Sequence, residues 1–459
     1  MQEDDAEARN LSVRQVLRAL APRLALVAIG VLALTGGCDR GAGPEQDGVP
    51  PSVRSTLVGA SSRTLAAQAA QAHAPGDAER GKGLVRQFEC NRCHIPDPDG
   101  GDHAGRDTSC AGCHEWILDG GHGKEGGLVN PTAVRGWQEH LQTMKHLPPL
   151  AAGHYRREWV ERFLVEPYDL RPNLPATMPR LKITKEQARD IAAHIGKPAE
   201  AAVSDGGVAD GGGGNLLEGA DLTRGEELFV EKGCGTCHVF TAASPPTARL
   251  AAGKDPPPVI ALAPDLRHAR DRFDVSTLVT WLMVPNSIKR YRSQMPKMPV
   301  TAEEARHLVA YVVFTDLAPP EVRSIPARLP PLGRRVGYDE VASKVLQKTC
   351  RHCHAEPDEA LGEGGPGNTG GFGFAPRGLV LSEFEGVAAG SINDQGERRS
   401  VFSKTSDGTS LLVRALLARQ AEEAGRPDPE VRGMPLGLPS LTPEQIQLVE
   451  AWVADGHPR

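Results

Sequence analysis

The chain has 459 residues, with 52 Lys and Arg against 58 Asp and Glu and a formal net charge of −6, a length that corresponds to roughly three domains. An acidic chain without a basic, aromatic-interleaved stripe is not built for nucleic acid. Aromatic residues are only 4% of the chain, sparse for the cores of three domains unless something other than side chains fills them.

The first feature in chain order is an unbroken apolar run from Leu24 to Leu34, preceded by Arg14, Arg18 and Arg23 and followed by Thr35-Gly36-Gly37-Cys38. It is too short to cross a bilayer as a folded anchor and fits the core of a signal peptide over residues 1–37. The small residues before Cys38 resemble a bacterial lipobox, which implies that Cys38 carries lipid as the first residue of the mature protein. Leu34 stands one place early, with Thr35 where Leu is usual, so an ordinary cleaved signal and an uncleaved anchor stay open. Each of the three exports the chain, to the periplasm or the cell surface. Residues 38–76, rich in Gly, Ala, Pro, Gln and Ser, read as a flexible tether.

A five-residue word, C-x-x-C-H, then occurs four times, at Cys90-Asn91-Arg92-Cys93-His94, Cys110-Ala111-Gly112-Cys113-His114, Cys234-Gly235-Thr236-Cys237-His238 and Cys350-Arg351-His352-Cys353-His354. Two thiols three residues apart can reach the vinyl groups of one haem, and the next imidazole then lies under its iron. A zinc site or a thioredoxin-like redox pair also uses C-x-x-C. Zinc would need two further ligands per pair, and neither alternative needs His directly after the second Cys. The expectation is therefore four covalently bound haem c groups, with His94, His114, His238 and His354 on their irons. Eight of the nine Cys are used in this way, which leaves no disulfide framework. The haem bodies would account for the sparse aromatics.

Two stretches repeat around these words. Arg80-Gly81 leads to Cys90 and Arg224-Gly225 to Cys234 at one offset. Met178-Pro179 precedes Thr184 and Met295-Pro296 precedes Thr301 at another. Thr184 with Gln187, Thr301 with Glu304 and Thr442 with Gln445 form capping boxes that predict the start of a helix, and Pro443 suits a first helical position. Apolar residues follow at helical spacing, as at Ile191 and Ile195, Leu308 and Val312, or Leu448 and Val453. In this order of parts the chain resembles the class I cytochrome c family: helix, C-x-x-C-H, loop, Met-Pro segment and last helix. The resemblance implies a mainly α fold of three tandem cytochrome c-like helical domains, 77–197, 218–317 and 336–459, the first with a haem-carrying insertion. It also implies that Gly81 and Gly225 let the last helix approach closely, with Tyr311 and Trp452 in the aromatic place of that crossing and His194 in that place in the first domain. Residues 198–217 read as a flexible linker and the Pro-rich 318–335 as a stiffer spacer. The Gly-rich stretch 362–378 lacks a phosphate-binding fingerprint and reads as an irregular loop over the haem edge.

The family places a Met opposite the His, which raises the reduction potential relative to a second imidazole. Met178, Met295 and Met434 hold that place for haems 1, 3 and 4, with Met298 as a competitor to Met295. Haem 2 has no Met-Pro partner. His140, His146, Met144 and His122 are its candidate sixth ligands, His140 bordering the apolar stripe of an expected helix over 133–147.

No hydrolase elbow, dinucleotide fingerprint or paired-carboxylate motif points to other chemistry. The expected function is that of an exported tetrahaem c-type cytochrome transferring electrons between respiratory or dehydrogenase partners. The alternative is a peroxidase- or reductase-like haem enzyme with haem 2 open and fed by the others. Redox proteins or respiratory subunits are the expected partners, with the membrane reached through the lipid on Cys38. Haems 1 and 2, close in sequence, are expected to be the near pair, with haems 3 and 4 beyond linkers of variable geometry.

Overall fold

The computed structural model of the protein describes residues 75–94, 110, 117, 150, 152–172, 174, 178–196, 216–243, 258–285, 295–319, 323–351, 353–356 and 365–459. They all belong to one compact unit, Pro50–Arg459; a second unit, Met1–Val49, lies outside them. The described part is mainly helical. Its longer helices are α1 (Ala78–Gln87), α2 (Arg157–Val165), α3 (Lys185–Ile195), α4 (Leu222–Glu231), α5 (Val275–Met283), α6 (Ala302–Phe314), the short α7 (Tyr338–Val341), which continues as a π-helix through Ala342–Cys350, α8 (Leu411–Glu423) and α9 (Pro443–Ala454). A two-stranded antiparallel sheet, Ser391–Ile392 with Arg398–Arg399, is the only sheet among the described residues. Among them, no helix is long and apolar enough to cross a membrane.

The helix starts follow from local chemistry. Asp77 and Asp221 accept the first free N–H groups of α1 and α4, which would otherwise lack partners. Thr184, Thr301 and Thr442 form the expected reciprocal capping boxes with Gln187, Glu304 and Gln445 at the heads of α3, α6 and α9.

These helices meet in pairs, α1 with α3 and α4 with α6. At the first crossing, a Cβ on Gly81 would lie 2.0 Å from the Asp190 carbonyl oxygen; at the second, a Cβ on Gly225 would lie 2.2 Å from that of His307. Only glycine permits so close an approach. The side chains of His194 and Tyr311 abut these two glycines in the same way, and both are buried, at 5% and 4% exposure. His194 thus fills the place it was assigned. Near α7 and α9, Trp452 is fully buried beside Phe402 and Tyr338, with ring centroids 5.5 and 6.0 Å away, and its indole N–H donates to the Pro458 carbonyl at 2.8 Å.

The pairs also touch one another. Arg156 donates its N–H to the Arg272 carbonyl at 2.7 Å, and Asp265 donates to the Leu170 carbonyl at 2.9 Å. The buried Arg272 guanidinium lies 5.2 Å from the Tyr155 and Trp159 rings and 4.9 Å from Phe273, a cation over π faces at an apolar seam. Residues 323–335 run without helix or strand, as a Pro-rich spacer should, and are tied at their start and middle: Arg323 to Asp169 at 2.6 Å and Arg328 to Glu450 at 2.7 Å.

One expectation needs correction. Far from varying on its linker, the C-terminal region packs directly on α1 and α3: Phe372, Phe374 and Leu436 lie against the core formed by Val85, Phe88, Ile191 and their neighbours. The Gly-rich loop makes this possible, because a Cβ on Gly373 (φ +77°) would lie 2.6 Å from the Phe88 ring.

Candidate haem attachment turns

Three of the four C-x-x-C-H words adopt one backbone form. In each, the second Cys and the His donate their N–H groups to the carbonyl of the first Cys: at 3.3 and 3.0 Å for Cys93 and His94, 3.3 and 3.0 Å for Cys237 and His238, and 3.1 and 3.0 Å for Cys353 and His354. Two sulfurs and one imidazole therefore leave a single turn. In the first and third words this turn is a 3₁₀ segment entered through a left-handed residue, Glu89 (φ 51°, ψ 40°) and Gly233 (φ 68°, ψ 28°). Glycine takes that conformation without cost, whereas Glu89 is strained. Its carboxylate has compensating partners, Arg92 at 2.7 Å and the Phe372 N–H at 3.0 Å. The fourth turn is reached instead from the π-helix, a form frequent at functional sites.

The imidazoles suit iron ligation. His238 Nδ1 lies 2.9 Å from the Pro264 carbonyl oxygen; as the donor of that bond it carries the proton, which leaves the Nε2 lone pair for a metal, the outer hydrogen bond typical of ligating histidines. Burial pushes the His238 pKa down, against the Pro264 hydrogen bond and nearby Asp265. Burial likewise pushes His354 down to about 4, with the Leu379 backbone opposing it, although the ring Nδ1 makes no hydrogen bond of good geometry. Both rings are neutral at pH 7, as ligation requires. Gly367 closes over the second ring: a Cβ there would lie 2.5 Å from His354 Cε1.

The sulfurs are mostly apolar in setting. Burial raises Cys234 and takes Cys350 up to about 12, with Cys353 adding to the latter. A thioether, which carries no proton to lose, sits in such surroundings without an electrostatic cost. Zinc would take thiolates, and among the described residues no group of three or more His, Cys, Asp or Glu side chains could hold a metal ion. The donor set of two thiols, one imidazole and a separate Met thioether fits a haem c.

Cys93 is different. A hydrogen bond with Cys110 pulls its pKa down, against burial and the neighbouring Cys353 and Cys90. The Cys93 thiol thus has thiols of the second and fourth words in its surroundings. The presence of word 4 was not legible in chain order.

Of the assigned methionines, Met178 packs on the same core that Cys90 borders. Met295 accepts a hydrogen bond on sulfur from the Trp281 indole N–H of α5 at 3.1 Å. Met434 is held through its own N–H, which donates to the Ala415 carbonyl of α8 at 2.8 Å. Preceding it, Gly433 donates to Glu422 at 2.9 Å, and Glu422 is paired with the buried Arg419. Cys113, His114, His122, His140, Met144, His146 and the lipidation candidate Cys38 lie outside the described residues, as do the expected helix over 133–147, the linker residues 198–215 and most of the tether.

Pro264, Trp281, Gly367 and the Glu89–Phe372 contact escaped the sequence reading. A carbonyl acceptor leaves no mark on residue type. The pairing of a Gly-rich loop with a distant helix end has no periodicity to reveal it. No family model, characterised protein or solved structure matches the chain.

Proposed function

We propose that this chain is an exported tetrahaem c-type cytochrome that transfers electrons between redox partners, built as three tandem cytochrome c-like helical domains of which the first carries two haems. The observation that carries the reading is the recurring turn that delivers two Cys sulfurs and a neutral His together, with His238 oriented by Pro264. Cys90 and Cys93, Cys110 and Cys113, Cys234 and Cys237, and Cys350 and Cys353 would hold the four groups. His94, His114, His238 and His354 would ligate them, with Met178, Met295 and Met434 opposite at haems 1, 3 and 4. Bound haem supplies a one-electron couple at iron. The residues around it do the rest: Pro264 keeps the proton on His238 Nδ1, partial burial disfavours thiolate at Cys350 and Cys234, and Trp281 directs its N–H at the Met295 sulfur. Redox proteins or respiratory subunits are the proposed partners, and lipid on Cys38 the proposed membrane anchor.

Intact-mass measurement of the mature protein tests the reading. Four covalent haems are expected, and fewer would overturn it. Low-spin ferric spectra without carbon monoxide binding are expected of a carrier, whereas a high-spin haem that binds carbon monoxide would favour the enzyme alternative.

A further inference from the structure

We propose that electrons pass directly between the haems of the first and fourth attachment turns, through a contact formed by Phe88 and Glu89 on one side and the 365–374 loop with Leu436 on the other. This rests on the haem reading above and goes beyond it, since chain order would route the fourth haem through the third.

The loop joins the two turns physically. At one end, Gly367 donates its N–H to the Cys353 carbonyl at 2.7 Å and lies against the His354 ring. A few residues on, Phe372 donates its N–H to Glu89, the residue directly before Cys90, and Gly373 lies against Phe88. The Arg92 guanidinium, inside the first word, lies 5.8 Å from the Phe372 ring. Phe374 carries the Arg432 guanidinium at 4.0 Å, and Leu436, two residues after Met434, packs on the core that Cys90 borders. The loop beside His354 therefore reaches the first turn at Glu89, and the segment after Met434 reaches the core that this turn borders. A contact that is apolar, tightly packed and closed by a charge-assisted hydrogen bond is rigid, which electron exchange between fixed sites favours. Haems held by Cys90, Cys93 and His94 and by Cys350, Cys353 and His354 would supply one-electron couples, so an exchange between them would break no bond and move no proton.

The test uses the full-length holoprotein, with four haems first verified by intact mass. Redox titration followed haem by haem with paramagnetic NMR should show the midpoint of haem 1 shifting as haem 4 is reduced. In Phe374→Lys, which sets a second cation beside Arg432, that shift should be lost while haem content stays at four; Phe374→Ala serves if the lysine variant does not fold. With four haems attached, independent titration of haems 1 and 4 in the wild type, or a shift unchanged in the folded variant, overturns the inference. A mass showing fewer than four haems overturns the underlying reading instead, so the two failures are distinct.

Discussion

The Glu89 carboxylate accepts the backbone N–H of Phe372 at 3.0 Å across 283 residues of sequence. Glu89 holds a left-handed backbone that most residues avoid, so one side chain both steadies its own strained turn and receives the C-terminal region. Glu89→Leu should lower stability by about 1–2 kcal/mol, the range for a hydrogen bond to a partly exposed charged acceptor, and should leave Phe372 N–H unprotected in hydrogen exchange. Glu89→Gln keeps an acceptor and should lose less than half as much. Equal protection of the Phe372 amide in all three proteins would show that the contact is not formed in solution.

The helix crossings predict opposite outcomes for two glycines that look alike in sequence. Gly225→Ala should destabilise by roughly 1–3 kcal/mol, because the new methyl meets the His307 carbonyl at 2.2 Å and the helices must part. Gly83→Ala in α1 meets nothing within 4 Å and should stabilise by up to about 1 kcal/mol through helix propensity. Urea denaturation of both variants decides it, and a Gly225→Ala protein as stable as the wild type would refute the close crossing.

The Trp281 indole N–H points its positive end at the Met295 sulfur. On the proposed haem reading, Trp281→Phe removes that dipole and should lower the potential of the haem held by Cys234 and Cys237 while keeping it low-spin, since a hydrogen bond that draws charge from a ligating sulfur favours the reduced iron. Met295→His should also keep it low-spin and lower the potential further. If Met298→His has this effect and Met295→His does not, the ligand register in this region is one Met-Pro unit off.

Acid stability should depend on Asp190. Its carboxylate takes hydrogen bonds from Arg80 at 2.9 and 3.1 Å and from the Asp77 N–H at 2.7 Å, and the Arg80 hydrogen bond holds its pKa below the ordinary 3.8. A carboxylate depressed on folding contributes stability that is complete above its ordinary pKa and is lost as the pH falls through the lowered folded-state value. Asp190→Asn should therefore be less stable at neutral pH and lose less between about pH 5 and pH 2, the carboxylate titration range. Parallel stability curves for the two proteins over that range would remove Asp190 from the account. In the second crossing the equivalent N–H, that of Asp221, is taken by His307 Nδ1 at 2.8 Å, so an imidazole rather than a carboxylate accepts it there.

What was legible in the sequence is what covalent neighbours decide. The capping boxes at Thr184, Thr301 and Thr442 and the turn that brings Cys, Cys and His together all close through hydrogen bonds between residues three or four apart, and spacing states that chemistry directly. Gly81 and Gly225 were legible because a missing Cβ in a repeated position marks a crossing. The Pro264 carbonyl on His238, the Trp281 N–H on Met295, Gly367 over His354 and Phe372 on Glu89 were decided only in three dimensions. Each joins groups from separate segments, and packing of apolar surface from α1, α3 and the 365–374 loop selects which segments meet. Residue type at one position carries no record of that choice, because the hydrophobic effect that drives it is non-directional.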